Sequence, residues 1–149
     1  MTNDIDGTPE LDLINDSGTP VPIDESTAMA CIQAVADTEG VTFSMIELVY
    51  VTEDEIIDVN KHHLGKEYVT DIISFHYHDV GATVDLEGSL VMCAPRINEQ
   101  ASELGVAAEL EFKRVIVHGL LHLVGHDDTT DDLKAAMTRK EDDILSRLG

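Results

Sequence analysis

The chain has no tryptophan, few aromatics of any kind, and two cysteines. It has no lysine or arginine before residue 61. Each absence excludes something. Cys31 and Cys93 lie in the apolar stretches MACIQAV and LVMCAP, without CxxC spacing, so two buried thiols in a reducing compartment are expected rather than a disulfide or thiolate ligands. No apolar run reaches the length of a membrane span. The opening MTNDIDGTPE has neither a basic n-region nor an apolar h-region, so no secretory signal is expected and the cytoplasm is the expected compartment. Residues 1–9 read as a flexible start.

What is plentiful is acid. Thirty Asp and Glu face nine Lys and Arg, for a net charge of −21. A surface of this kind keeps a protein hydrated in concentrated salt, so a halophilic source is the expectation. Hydrophobic residues make up 43% of the 149, which is enough for one core.

The pattern along the chain alternates strands and helices. Leu11, Leu13 and Ile14 suit a short first strand. Asp24 or Ser26 can cap a helix to about Thr38, which Gly40 ends. Ser44–Val51 is rich in β-formers. Thr52 with Glu55 forms a capping box and opens a short helix that stops at Gly65. Asp71–His78 alternates as a strand, with Ile73, Phe75 and Tyr77 on one face and Ser74, His76 and His78 on the other. Asp79–Glu87 reads as a turn region and Ser89–Cys93 as another strand. Helices are then expected from Pro95 to Glu103, from about Ala107 to Val124, and from about Asp131 to Leu148. The fold class is α+β: one domain over residues 1–149, with a small mixed sheet of about four strands packed with helices.

The chemistry concentrates in RVIVHGLLHLVGHDDTTDD. His118 and His122 lie four apart, so both rings leave one face of a helix that is otherwise apolar. Two imidazoles in such surroundings need partners, and a divalent metal satisfies both. Gly125 lets the chain turn back, and His126, Asp127 and Asp128 beyond it are all capable ligands. Asp128 falls ten residues after His118, the third-ligand spacing of metzincin-type sites. Three protein ligands leave a fourth position for water, the catalytic arrangement. The position after the first histidine is Gly119, where a zinc peptidase carries its general-base Glu, so peptidase chemistry is disfavoured.

At these residues the chain resembles the YbeY family, metal-dependent endoribonucleases of ribosomal RNA maturation. The family pattern His-Gly-x-Leu-His-Leu-x-Gly-x-Asp-His is matched from His118 to Asp127, with Asp128 standing at the last histidine. Thr70, Asp71, Ile72, Ile73, Ser74 and Phe75 match a Thr-Asp-Val-Leu-Ser-Phe block, and Gly88–Met92 a Gly-Asp-Ile-x-Ile block with Ser89 at the aspartate. The resemblance implies one Zn²⁺ or another divalent ion held by His118, His122 and Asp128, which are also the catalytic residues. Register favours Asp128 over His126 as third ligand. It implies single-strand-specific cleavage of ribosomal RNA at the 3′ end of the 16S molecule, with the small ribosomal subunit as partner. Asp127 or another nearby carboxylate would handle the proton. The Arg that the family carries before the Thr-Asp block aligns with Leu64, so Lys61, Lys66 and Arg96 become the candidates for holding phosphate. Ser89 is expected to cost a structural hydrogen bond. His62, His63, His76 and His78 are expected to be solvated. Two other readings remain open: a peptidase or amidase built on the same metal helix, and a non-catalytic ribosome-associated module with a structural metal.

Overall fold

A computed structural model of the chain describes residues 8–148. Most of the expected flexible start, residues 1–7, lies outside the described residues. The elements run β1 (Glu10–Asn15), α1 (Glu25–Glu39), β2 (Phe43–Val51), α2 (Glu53–Leu64), β3 (Ile72–His76), β4 (Leu86–Cys93), α3 (Ala94–Leu104), α4 (Ala108–Val124) and α5 (Asp131–Leu148).

Local chemistry explains most of these limits. Asp24 caps α1 by accepting from the Thr27 amide at 2.8 Å. The capping box opening α2 is present in both directions, Thr52 N to Glu55 Oε1 at 3.0 Å and Glu55 N to Thr52 Oγ1 at 3.2 Å. Gly125 ends α4 at φ 117°, where its own amide donates to the Leu121 and His122 carbonyls.

The four strands form one mixed sheet in the order β1-β2-β4-β3. β1 and β4 both run parallel to β2, and β3 is antiparallel to β4. Alternation along the central strands divides the interior. Ile46, Leu48 and Tyr50 of β2, with Leu90 and Met92 of β4, join the larger core under α1, α4 and α5. Val51, Cys93 and Ile73 turn to the other face and pack with Ile56 of α2 in a smaller core. Cys31 and Cys93 are buried free thiols, and burial pushes the Cys31 pKa up to about 11.

Two strand limits differ from expectation. β4 begins at Leu86 rather than Ser89, because Leu86, Glu87 and Gly88 pair with Phe43, Met45 and Ile46. Gly88 lies within this extended strand. A Cβ on it would stand 2.6 Å from Leu123 Cδ1 and 2.8 Å from the Phe75 carbonyl oxygen, so the strand needs glycine where α4 and β3 close on it. β3 stops at His76 rather than His78, where the ladder with β4 ends. His78 then folds inward instead of remaining solvated. Its Nδ1 accepts from the Glu87 amide at 3.1 Å, and its Nε2 donates to the Leu123 carbonyl at 2.9 Å.

Helix α4 lies almost directly on the sheet. Phe112, Ile116, Leu120 and Leu121 are fully buried on it, each worth about 1.5–3 kcal/mol in area removed from water. The closest approach is at Gly119. A Cβ there would come within 2.5 Å of Ile72 Cδ1 and 2.9 Å of Leu90 Cδ2. Among the described residues, no helix is long and apolar enough to cross a membrane.

Candidate metal centre

The last two turns of α4 present His118 and His122 with their Nε2 atoms 3.1 Å apart. The loop after Gly125 returns Asp128, whose Oδ2 lies 3.4 Å from His118 Nε2 and 3.7 Å from His122 Nε2. These three side chains are grouped tightly enough to hold a metal ion. Ligand atoms of a tetrahedral zinc with bonds of about 2.1 Å stand about 3.4 Å from one another, so the triangle has the size the ion requires.

Protonation makes the fit chemical as well as geometric. His122 Nδ1 donates to the His126 carbonyl oxygen at 2.9 Å, an atom that only accepts. His118 Nδ1 donates to Glu141 Oε2 at 2.6 Å. In the neutral rings both Nε2 atoms therefore carry lone pairs, and those lone pairs face each other across 3.1 Å beside a carboxylate. A metal ion among the three atoms, or a proton on one Nε2, relieves the resulting repulsion. The side chains of His118, His122 and Asp128 are 26%, 29% and 32% exposed, so the site is open to solvent on one side.

The surroundings orient the donors. Glu141, on α5, has a nearly buried side chain and also accepts from Arg114 Nη1 at 3.0 Å, while Arg114 Nη2 reaches Asp142 at 2.7 Å. Burial alone would lower the His118 pKa, but the Glu141 hydrogen bond and charge outweigh it and, with the charges of Asp128 and Asp71, hold it above its ordinary value. His126, the other candidate for third ligand, is engaged elsewhere. Its ring is bonded to Glu39 at the end of α1, and Glu39 is also held by Lys140 at 3.1 Å. Burial would raise the Glu39 pKa, but these two partners outweigh it and keep the carboxylate ionised to lower pH. The His126 ring thus ties the ligand loop to α1, and the side chain that reaches the histidine pair is that of Asp128. Asp127 shapes the same loop by accepting from the Asp128 amide and the Thr129 hydroxyl, both at 2.8 Å.

The triad lines a cavity of about 510 Å³. Its walls include His63, Leu64, Tyr68, Asp71 and His76. Asp71 Oδ2 accepts from Gln100 Nε2 at 3.2 Å, and the same amide nitrogen donates to the buried Glu111 at 3.1 Å. Burial raises the Glu111 pKa, against the opposing hydrogen bond from Gln100.

None of the three candidate phosphate-binding cations lines this cavity. Lys61 is paired with Glu67 at 3.4 Å, and Arg96 with Glu99 and with Glu103 at 3.1 Å. Lys66 stands beside the rim, its Nζ 6.0 Å from the centroid of the Tyr68 ring. Ser89 retains a hydrogen bond at its buried position. Its hydroxyl donates to Glu47 Oε1 at 2.8 Å and lies 3.0 Å from the Tyr77 oxygen.

Sequence reasoning did not find Glu141, Glu39 or Gln100. One signal existed for the first. Met137, Glu141 and Ile144 are all buried on α5, and their spacing puts the acid on that helix's apolar face.

Known proteins resemble this chain over most of its length. The family model described as Endoribonuclease YbeY matches residues 14–149. A protein of Chlorobaculum tepidum named Endoribonuclease YbeY is 38% identical over 126 residues, which cover 85% of this chain and 90% of that protein. One of the same name from Halalkalibacterium halodurans is 31% identical over 152 residues, covering 94% and 96%. The solution structure of TM1509 from Thermotoga maritima superposes with a TM-score of 0.61 at 20% identity, covering 93% of this chain and 88% of that one, which is a likeness of fold.

Proposed function

Given that the chain belongs to the YbeY endoribonuclease family, we propose that it is a metal-dependent, single-strand-specific endoribonuclease of ribosomal RNA maturation, acting at the 3′ end of 16S RNA on the small ribosomal subunit. The observation that supports metal dependence is the convergence of two lone-pair nitrogens and a carboxylate oxygen in the lining of an open cavity. His118 Nε2, His122 Nε2 and Asp128 Oδ2 would hold the ion. When bound there, it supplies Lewis acidity toward a phosphate oxygen and lowers the pKa of water. Zn²⁺ is the proposed metal, and a carboxylate as third donor widens the choice toward Mn²⁺.

The protein's own groups do the rest. Glu141 holds the His118 ring in one tautomer by accepting from Nδ1, and the His126 carbonyl does the same for His122. Asp71 lines the cavity with Oδ2 accepting from Gln100, which supports it as the carboxylate that takes or returns a proton at the reacting phosphate. Asp127 is already committed to two hydrogen bonds in its own loop. A peptidase reading finds no support at Gly119, because a side chain there would run into Ile72 and Leu90. A closed structural site would use four protein ligands, whereas three side chains converge here among the described residues.

The test uses the full chain. Elemental analysis should find one divalent ion per chain, lost in His122→Ala. The Zn²⁺- or Mn²⁺-loaded protein should nick single-stranded RNA, and His118→Ala should not. Equal nicking by His118→Ala would sink the assignment. Cells lacking the gene should accumulate 16S RNA with an extended 3′ end.

A further inference from the structure

The cavity holds a second group of side chains beyond the triad, and its chemistry is unusual for a site that takes a polyanion. Among the described residues its lining contains no Lys or Arg, yet it contains the carboxylates of Asp71 and Asp128. Lys61 and Arg96 are paired with glutamates, and Lys66, the cation beside the rim, stands 6.0 Å from the centroid of the Tyr68 ring without lining the cavity. Affinity for RNA ordinarily comes from Lys and Arg neutralising phosphates. A chain of net charge −21 with this lining has little of that to offer.

It offers rings instead. Tyr68 lines the cavity with 53% of its surface exposed, and Leu64 beside it is exposed to the same extent. His63 and His76 complete this rim. The His63 ring is backed by Phe75, with centroids 4.3 Å apart and planes inclined by 47°. Phe75 packs in turn on the smaller core, so the His63 ring has a firm support. These partly apolar surfaces line the same cavity as His118, His122 and Asp128.

We propose that Tyr68 and His63, flanked by Leu64 and His76, form a base-stacking rim that grips the unpaired nucleotide next to the scissile phosphate. This rests on the endoribonuclease reading and deepens it, because affinity then comes from ring stacking and little of it from phosphate charge. A paired base has both faces covered by its neighbours, so the rim selects single strands. Stacking is insensitive to ionic strength, whereas phosphate contacts weaken steeply with salt. The rim therefore keeps RNA affinity where a basic groove would lose it.

The experiment measures binding and turnover separately. Fluorescence anisotropy of a short labelled single-stranded RNA is followed on full-length His118→Ala protein over a series of KCl concentrations, with and without Tyr68→Ala or Tyr68→Phe. Tyr68→Ala should weaken binding by about 5- to 100-fold, the loss of one stacked base, while Tyr68→Phe binds as its parent. The logarithm of affinity should fall with that of salt at a slope of about −2 or shallower. In the metal-loaded chain with His118 intact, Tyr68→Ala should raise KM with kcat held. Unchanged affinity in Tyr68→Ala overturns the stacking rim, as does a steep salt slope, and the nuclease reading survives either result if the chain still cleaves RNA through His118. A chain that neither binds nor cleaves RNA, but retains an extended peptide along β3, overturns both.

Discussion

Two histidine pairs stand near each other in this molecule, and they differ in where their nitrogens go. His118 and His122 are four residues apart on a helix, with ring centroids 4.6 Å apart. Each spends Nδ1 on a fixed acceptor and turns Nε2 toward its partner. His76 and His78 are two residues apart at the end of a strand, with centroids 5.5 Å apart. His78 spends both nitrogens on backbone groups of β4 and α4, and His76 is exposed. The first pair keeps lone pairs to give to a cation. In the second pair both His78 nitrogens are taken, so no two lone pairs converge, and His78 instead straps the start of β4 to the end of α4. Proximity of imidazoles does not make a metal site; unspent nitrogens do.

The contrast can be broken or sharpened by substitution. The largest effect is expected at Glu141, which keeps the Nδ1 proton on His118. Glu141→Gln should weaken metal affinity by about 10- to 100-fold, read by competition with a chromophoric zinc chelator. Retained affinity would mean that ring orientation comes from packing alone. Next is Gly119, which sets the distance between α4 and the sheet. Gly119→Ala should cost about 1–3 kcal/mol by overpacking against Ile72 and Leu90, measured by urea unfolding. Smaller again is the strap. His78→Ala should lose about 1 kcal/mol of stability with metal content unchanged, whereas exposed His76→Ala should fall within about 0.5 kcal/mol of the parent. A loss of bound metal in His78→Ala would erase the distinction between the pairs.

Much of the fold was legible because local rules set it. The capping box at Thr52 and Glu55, the glycine stops at Gly40, Gly65 and Gly125, and the apolar run of α4 all sit where spacing placed them. The errors fell where tertiary contacts override local signals. Leu86 and Glu87 fall in a stretch of turn composition but lie inside β4, because they pair with Phe43 and Met45 of β2. His78 alternates like a solvated strand residue but turns inward, because the Leu123 carbonyl at the end of α4 needs a donor. The site divides in the same way. The three side chains that the structure groups together were readable from a spacing of four and a spacing of ten. Glu141 and Gln100 were not, because they approach from α5 and α3.

By itself the sequence determined which side chains can leave one helix face together and where the chain can bend to return an acid, since both follow from helix period and from glycine's freedom at positive φ. Only the tertiary structure decided which nitrogens stay unspent, which acid steadies them, and that the cavity around them is walled by rings rather than by cations. Those outcomes depend on groups brought from distant parts of the chain, and no local pattern records which of them will meet.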